Sequence, residues 1–246
     1  RWLSDWSSDV CSSDLNPAAV ADIVSVNSNS WGPDDSGNLM DGPGPLTRAA
    51  LEHATTNGRR GRGTVFVWAA GNGGNSDYTT FDGYASNRRT IAVAASGGNG
   101  ARSSYSERGS TILVNAPSSY SITVTTGTIT TGITTTDRTG SAGYEDPAGD
   151  YTYSFGGTSS ACPLVAGCVA LALQANPALT WRDVQHLLVQ TATKNLPSDA
   201  SWSTNAAGFT NSHTFGFGRV NAAAAVSAAP TWTILRPEAT PVTARV

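Results

Sequence analysis

Residues 64–74 read TVFVWAAGNGG, and this stretch decides the fold. The run 64–70 (TVFVWAA) is apolar without alternation, the pattern of a strand buried on both faces of a parallel sheet. Residues 69–74 (AAGNGG) end that strand in a glycine-rich turn that carries one polar side chain, Asn72. Upstream, 46–56 (LTRAALEHATT) has apolar residues at helical spacing and stops at Asn57-Gly58, a helix terminator. Before it, 21–26 (ADIVSV) reads as a short strand. Strand, helix, strand implies a crossover and a parallel α/β sheet. Residues 90–95 (TIAVAA) and 111–114 (TILV) supply two more strands.

The rest of the chain is read against that sheet. Residues 118–150 are rich in Thr, Ser and Gly, which suits exposed strands or a long surface excursion. Residues 160–174 form a small-residue, apolar, buried helix. Pro163 is read as lying in its first turn, where backbone N–H groups lack helical partners. Thr180 and Asp183 open the next helix as a capping-box pair, and that helix is expected to run to Thr191. Residues 220–227 (VNAAAAVS) give a final short helix, and 230–246 read as extended.

The 246 residues suffice for one large domain. Apolar residues make up 39% and charged residues 13%, which with the Ser/Thr stretches suggests a secreted globular protein. Fifteen Lys+Arg against eighteen Asp+Glu give a net charge of -3, against a nucleic-acid binder with its basic face. No apolar run reads as long enough to cross a bilayer. Cys11, Cys162 and Cys168 are too few for a disulfide framework. On one helix, Cys162 and Cys168 lie about 9 Å apart in rise, too far to bridge. Both are expected to be small buried apolar residues.

Residues 1–15 (RWLSDWSSDVCSSDL) have no hydrophobic period and no signal-peptide layout. Residues 5–15 back-translate to a string that resembles a short-read sequencing adapter. They are therefore set aside as an artefact with no natural structure, and the natural sequence is expected to begin near Asn16.

The chemistry lies in two motifs. Residues 156–163 (GGTSSACP) place a serine at a helix start, where the dipole and free N–H groups favour negative charge. Alone, that serine is an ordinary N-cap. Asn72 sits at the carboxyl end of a parallel strand, where α/β sites lie. Alone, it is an ordinary turn residue. Together with Ser30-Trp31-Gly32-Pro33, and in this chain order, the pattern resembles the subtilisin-like serine proteases, most closely the kexin/furin branch. The matching phrases are NSWGPDDSG, VWAAGNGG, FDGY, YSE, GGTSSACPLVAG, ANPALTWRDVQ and FGFGRVNA, spread over 27–225.

The resemblance implies a three-layer, parallel-sheet subtilisin-like α/β fold, N-terminally truncated here, with 16–228 the C-terminal part of the peptidase domain. It implies a secreted bacterial enzyme, with a prodomain and a P domain in the full-length protein and 229–246 leading toward the latter. Ser159 matches the nucleophile and Asn72 the side-chain oxyanion donor, with the Ser159 N–H as second donor. Ser30, Trp31 and Gly32 match the edge that pairs with the substrate backbone. Asp35 and Asp82 match the two carboxylates that take an arginine at P1, whose planar fork suits paired acids. Asp41 matches an acid for a basic P4 side chain. Asp35, Asp77 and Glu107 match the ligands of a Ca²⁺ site, an ion that takes hard oxygen donors. Asp22 and Asp34 are left as solvated surface residues.

The three histidines, His53, His186 and His213, lack the His-Gly-Thr context of the family's base. The family's Asp and His precede the strand near residue 21, so both are expected to be missing and the chain inactive alone. Two other readings stand beside a protease with basic P1. One is a non-catalytic surface or adhesion module on a degenerate fold, which the Thr-rich segment suits. The other is a general subtilisin with an apolar P1 pocket, which Asp35 and Asp82 oppose.

Overall fold

The computed structural model describes residues 23–125, 127–144 and 149–237. Strands β1 (Val26–Asn29), β2 (Val65–Ala69), β3 (Thr90–Ser96) and β4 (Ile112–Pro117) form one sheet in chain order, every neighbour parallel. β2 and β3 are buried at every position, as their unbroken apolar runs require.

The sheet's two faces separate by the period of two along β2. Phe66 and Trp68 point to helix α1 (Pro45–Gly61), packing with its Leu51 and Ala54. Val65, Val67 and Ala69 point to the other side, against α2 (Thr158–Ala175), α3 (Trp181–Thr191) and α4 (Ala222–Ala228). Helices on both faces of a parallel sheet give the three layers expected. Each fully buried Val, Leu or Phe here contributes about 1.5–3 kcal/mol.

Several boundaries differ from the sequence reading, each for a physical reason. The first strand is Val26–Asn29, later than 21–26, because its register is set by pairing Val26 with Val65 and Asn29 with Trp68. Its polar residues are tolerated because Asn29 Nδ2 donates to Val67 O at 3.2 Å and to Asn27 Oδ1 at 2.7 Å. Residues 21 and 22, like 1–20 with Cys11, lie outside the described residues. α1 starts after Gly44 with Pro45 in its first position, where a missing N–H costs nothing. Its regular part ends at Asn57-Gly58 as read, since Gly58 is extended (ψ 156) and Arg59 and Arg60 are left-handed.

α2 begins two residues earlier than expected. Pro163 is therefore inside the helix and not in its first turn. α2 is also, by length and composition, apolar enough to cross a membrane, contrary to the expectation that no segment is. Here it lies on the sheet, with Ala161, Cys162, Val165 and Val169 fully buried. Cys162 is a buried free thiol as expected, whereas Cys168 is a free thiol only half-buried.

The capping box of α3 is present as read: Asp183 N donates to Thr180 Oγ1 at 3.1 Å and Thr180 N to Asp183 Oδ2 at 2.8 Å. Asp183 Oδ1 also accepts from Trp232 Nε1 and Leu235 N, holding the segment after α4 against the domain. α4 starts at Ala222, with Asn221 as its N-cap. The Thr-rich excursion is two exposed antiparallel pairs. They are β5 (Tyr120–Val124) with β6 (Gly127–Thr131), and β7 (Ile133–Thr136) with β8 (Tyr151–Phe155). The short pair β9 (Ser203–Thr204) and β10 (Thr210–Asn211) has no counterpart in the sequence reading.

Candidate active site

Ser159 is the second residue of α2, after Gly157 at φ 74. First-turn N–H groups lack helical acceptors, so each must find another partner. Thr158 N donates to Asn72 Oδ1 at 2.8 Å, and Thr158 Oγ1 donates to the same oxygen at 3.0 Å. Ser160 N donates to Gly157 O at 3.1 Å. The Ser159 N–H is left with no acceptor among the described residues. Two donors on the Asn72 oxygen fix its amide, so that its NH₂ is the end left to project from the turn after β2.

Beneath this turn lies a hydroxyl network that the sequence reading missed. Ser118 Oγ hydrogen-bonds Gly157 O, Ser160 Oγ and Tyr105 OH, each at 2.7 Å. Ser118 and Ser160 are buried. Tyr105 lies in the YSE phrase, but nothing in the order of residues ties Ser118 to it.

Ser30, Trp31 and Gly32 follow β1 along the sheet edge. Ser30 Oγ donates to Ser159 O at 2.9 Å, joining this segment to α2. The Trp31 ring packs edge-on against Trp68 and Tyr84, and its carbonyl accepts from Trp68 Nε1 at 2.7 Å. Gly32 lies against the Asp82 carboxylate; a Cβ there would sit 3.0 Å from Asp82 Oδ2.

A shallow, open depression is lined by Pro33, Asp34, Asp35, Leu39, Asp77, Phe81, Asp82 and Glu107. Five of the eight are acids and none is basic. Asp34 is exposed, as expected of a solvated surface residue, and also borders this site. Asp41 is brought beside Asp82 by main-chain pairing: Asp41 N donates to Phe81 O, and Gly83 N to Asp41 O. Asp82 Oδ1 accepts from Tyr84 N at 2.6 Å and Ala85 N at 3.2 Å. Burial nevertheless pushes the Asp82 pKa up to about 6, with the charges of Asp35 and Asp41 adding to the rise.

Main-chain N–H groups of the glycine turn after β2, and that of Gly37, seat the remaining acids. Asn72 N donates to Asp35 Oδ2 at 3.1 Å, Gly73 N to Glu107 Oε1 at 3.1 Å, and Gly37 N to Asp77 Oδ2 at 2.9 Å. Gly71 must lack a side chain, since at φ 102 a Cβ would collide with the Glu107 carboxylate. Glu107 is buried, which pushes its pKa up to about 8, and Asp35 and Asp77 add to the rise by their charge. Asp35, Asp77 and Glu107 are thus gathered, and their hard oxygens suit Ca²⁺. Yet among the described residues no three acidic, His or Cys side chains converge at ligand spacing, so the trio does not form a ready-made ligand set.

The histidines lie elsewhere in the fold. His53 is on α1 with its Nδ1 buried and unpartnered, His186 is on α3, and His213 is in a loop where its carbonyl accepts from Gly109 N. None hydrogen-bonds Ser159 among the described residues.

Comparison with known proteins agrees with this geometry. The family model for the subtilase family matches residues 7–218, a span that begins inside the segment set aside above. The rat proprotein convertase subtilisin/kexin type 5 is 44% identical over 211 residues, covering 85% of this chain and 11% of that protein. The human type 7 convertase is 43% identical over 213 residues, covering 86% and 26%. This chain therefore spans only a small part of the curated relatives it matches. The solved serine protease of Aeromonas sobria superposes with a TM-score of 0.75 at 26% identity, covering 87% of this chain and 44% of that one. That protease has also been solved in complex with a chaperone. With most of its length matched by the family model and a parallel sheet that ends in Asn72 beside Ser159, the chain belongs to the subtilase family.

Proposed function

We propose that this protein is the Ser159-bearing part of a secreted, kexin-like serine endopeptidase that cleaves polypeptides after basic residues. The observation that carries the reading is the pair of hydrogen bonds from Thr158 N and Oγ1 to Asn72 Oδ1, which leaves the Asn72 NH₂ as the donor end, next in the fold to a Ser159 N–H with no acceptor among the described residues. Two such donors are what a tetrahedral oxyanion needs. Ser159 attacks the scissile carbonyl and gives its proton to a base. The amine leaves, and water then releases the acyl group from Ser159. The base and its orienting carboxylate come from outside the described residues.

Substrate pairing along the β1 edge falls to the main chain of Ser30 and Gly32, since Trp68 occupies the Trp31 carbonyl. The acid-lined depression receives the P1 side chain, with Asp35 and Asp82 facing its guanidinium and Asp41 a basic residue further upstream. Asp35, Asp77 and Glu107 would be the residues to hold Ca²⁺, whose charge would offset their mutual repulsion. A prodomain and a P domain accompany this part in the full-length protein.

The test is hydrolysis by the full-length protein of matched peptides with Arg or Leu at P1. Preference for Arg supports the reading. Preference for Leu would favour a general subtilisin, and hydrolysis of neither would favour a binding module.

A further inference from the structure

The connection from α1 to β2, residues 58–63, reads GRRGRG and combines two features. Arg60, Gly61 and Arg62 are exposed. Yet Arg59 (φ 50) and Arg60 (φ 58) are left-handed although neither is glycine, and Gly61 follows at φ 84. A peptide that pairs with a protease edge as an added strand must be extended, so this turn cannot enter such a site as it stands.

One side chain holds the turn. Arg59 Nη1 donates to Leu179 O at 2.9 Å and to Gly63 O at 3.1 Å, and Nη2 donates to Pro177 O at 3.2 Å. Two of these acceptors lie on the connection between α2 and α3. No carboxylate pairs with Arg59 among the described residues, and burial, then the charge of Arg62, lowers its pKa. The latch is a partly desolvated cation on carbonyls alone.

We propose that Arg60–Gly61 is a self-cleavage site, held shut by the Arg59 side chain. The proposal rests on the basic-residue specificity proposed above, because Arg59-Arg60 presents basic side chains at P2 and P1. When the latch opens, an active molecule adds water across the bond: the Arg60 carbonyl carbon gains OH and the Gly61 nitrogen gains H. The neighbouring bond Arg62–Gly63 is closed by the fold itself. Arg62 O accepts from Trp181 N at 2.9 Å, Gly63 N donates to Gly58 O at 2.7 Å, and Gly63 is buried. A cut after Arg60 divides the site. Ser30, Gly32, Asp35 and Asp41 fall on one piece, and Asn72, Asp82 and Ser159 on the other, joined after the cut only by non-covalent contacts such as the β1–β2 pairing.

Trypsin tests the latch without using the protein's own activity, with exposed Arg138 as the internal reference. In the wild-type chain, cutting after Arg60 is slower than after Arg138. Arg59→Ala speeds the Arg60 cut at least about tenfold relative to Arg138, since a charged group's hydrogen bonds no longer oppose local opening. Should Arg59→Ala unfold the chain, Arg59→Lys keeps the charge and loses the fork, and gives a smaller rise. Equal wild-type rates at Arg60 and Arg138, or two variants that leave Arg60 slow, overturn the latch. Full-length enzyme is then mixed with the Arg59→Lys chain, which keeps a basic P2, and fragments ending at Arg60 are sought. Hydrolysis of Arg-Arg peptides without that fragment overturns self-cleavage alone. Hydrolysis of neither overturns the proposed specificity.

Discussion

The Ser30 hydroxyl donates to the Ser159 carbonyl at 2.9 Å because Pro163 cannot. In an unbroken helix the N–H of residue 163 would bond to the carbonyl of residue 159. Proline has no N–H, and so the carbonyl is open to a side chain from the sheet edge. The proline thus links the strand that would carry substrate to the helix that carries Ser159. Ser30→Ala should cost about 1 kcal/mol, a fall in melting temperature of about 2–4 °C. Adding Pro163→Ala should restore most of it by supplying the helical donor. Thermal unfolding of both variants checks this, and a double variant no more stable than Ser30→Ala would refute it.

Thr158 and Asn72 give a second prediction. Asn72→Leu in the full-length enzyme should lower kcat by about 10²–10³ with little change in KM, the loss known for such a donor in a subtilisin. Thr158→Val removes one of two donors to Asn72 Oδ1 and leaves the backbone N–H. It should cost about tenfold or less in kcat, consistent with one lost hydrogen bond of about 1 kcal/mol. A Thr158→Val loss as large as that of Asn72→Leu would show that the hydroxyl, and not the amide, is the group that matters.

The sheet was legible because β2 and β3 are buried on both faces, and only unbroken apolar runs satisfy that. The Asn57-Gly58 stop and the Thr180–Asp183 box were legible because their chemistry is local. β1 was misplaced because its register depends on β2, some 40 residues away. Pro163 was misread because the start of α2 depends on Asn72 capturing the Thr158 N–H, a contact that no local pattern announces. Ser118 was missed for the same reason: its partners Tyr105, Gly157 and Ser160 are distant in the chain. Asp35, Asp77, Asp82 and Glu107 were found only through the family resemblance, since an isolated acid in a loop is ordinarily a solvated one.

The proposed P1 role of Asp82 can be tested by one substitution. Tyr84 N and Ala85 N hold its Oδ1 in place, and Oδ2 lies toward Gly32. Asp82→Asn keeps the shape and removes the charge. In the full-length enzyme it should lower kcat/KM for an Arg-P1 peptide by about 10–100-fold, the range for losing a charge-assisted bond, and leave a Leu-P1 peptide nearly unchanged. Equal losses on both peptides would place Asp82 outside the P1 site.

The proposed calcium role of Glu107 carries a pH dependence. With pKa values of about 8 for Glu107 and about 6 for Asp82, both carboxyls keep protons in the folded chain where the unfolded chain has lost them. Stability from these two groups is therefore greatest at low pH and falls as pH rises from about 4 to about 8, since the folded state binds the extra protons. In EDTA the melting temperature should drop over that interval. Calcium at millimolar level should flatten the drop, because it supplies the charge that the ionised carboxylates lack. Glu107→Gln keeps an oxygen for the Gly73 N–H and removes the ionisation. It should be more stable than wild type in EDTA at about pH 8, and should gain less from calcium. Glu107→Ala, which leaves Gly73 N without its acceptor, should be less stable at any pH. If wild type melts at the same temperature in EDTA and in calcium at about pH 8, the three acids hold no ion and the drop with pH comes from burial of the carboxylates, with their mutual repulsion adding to it.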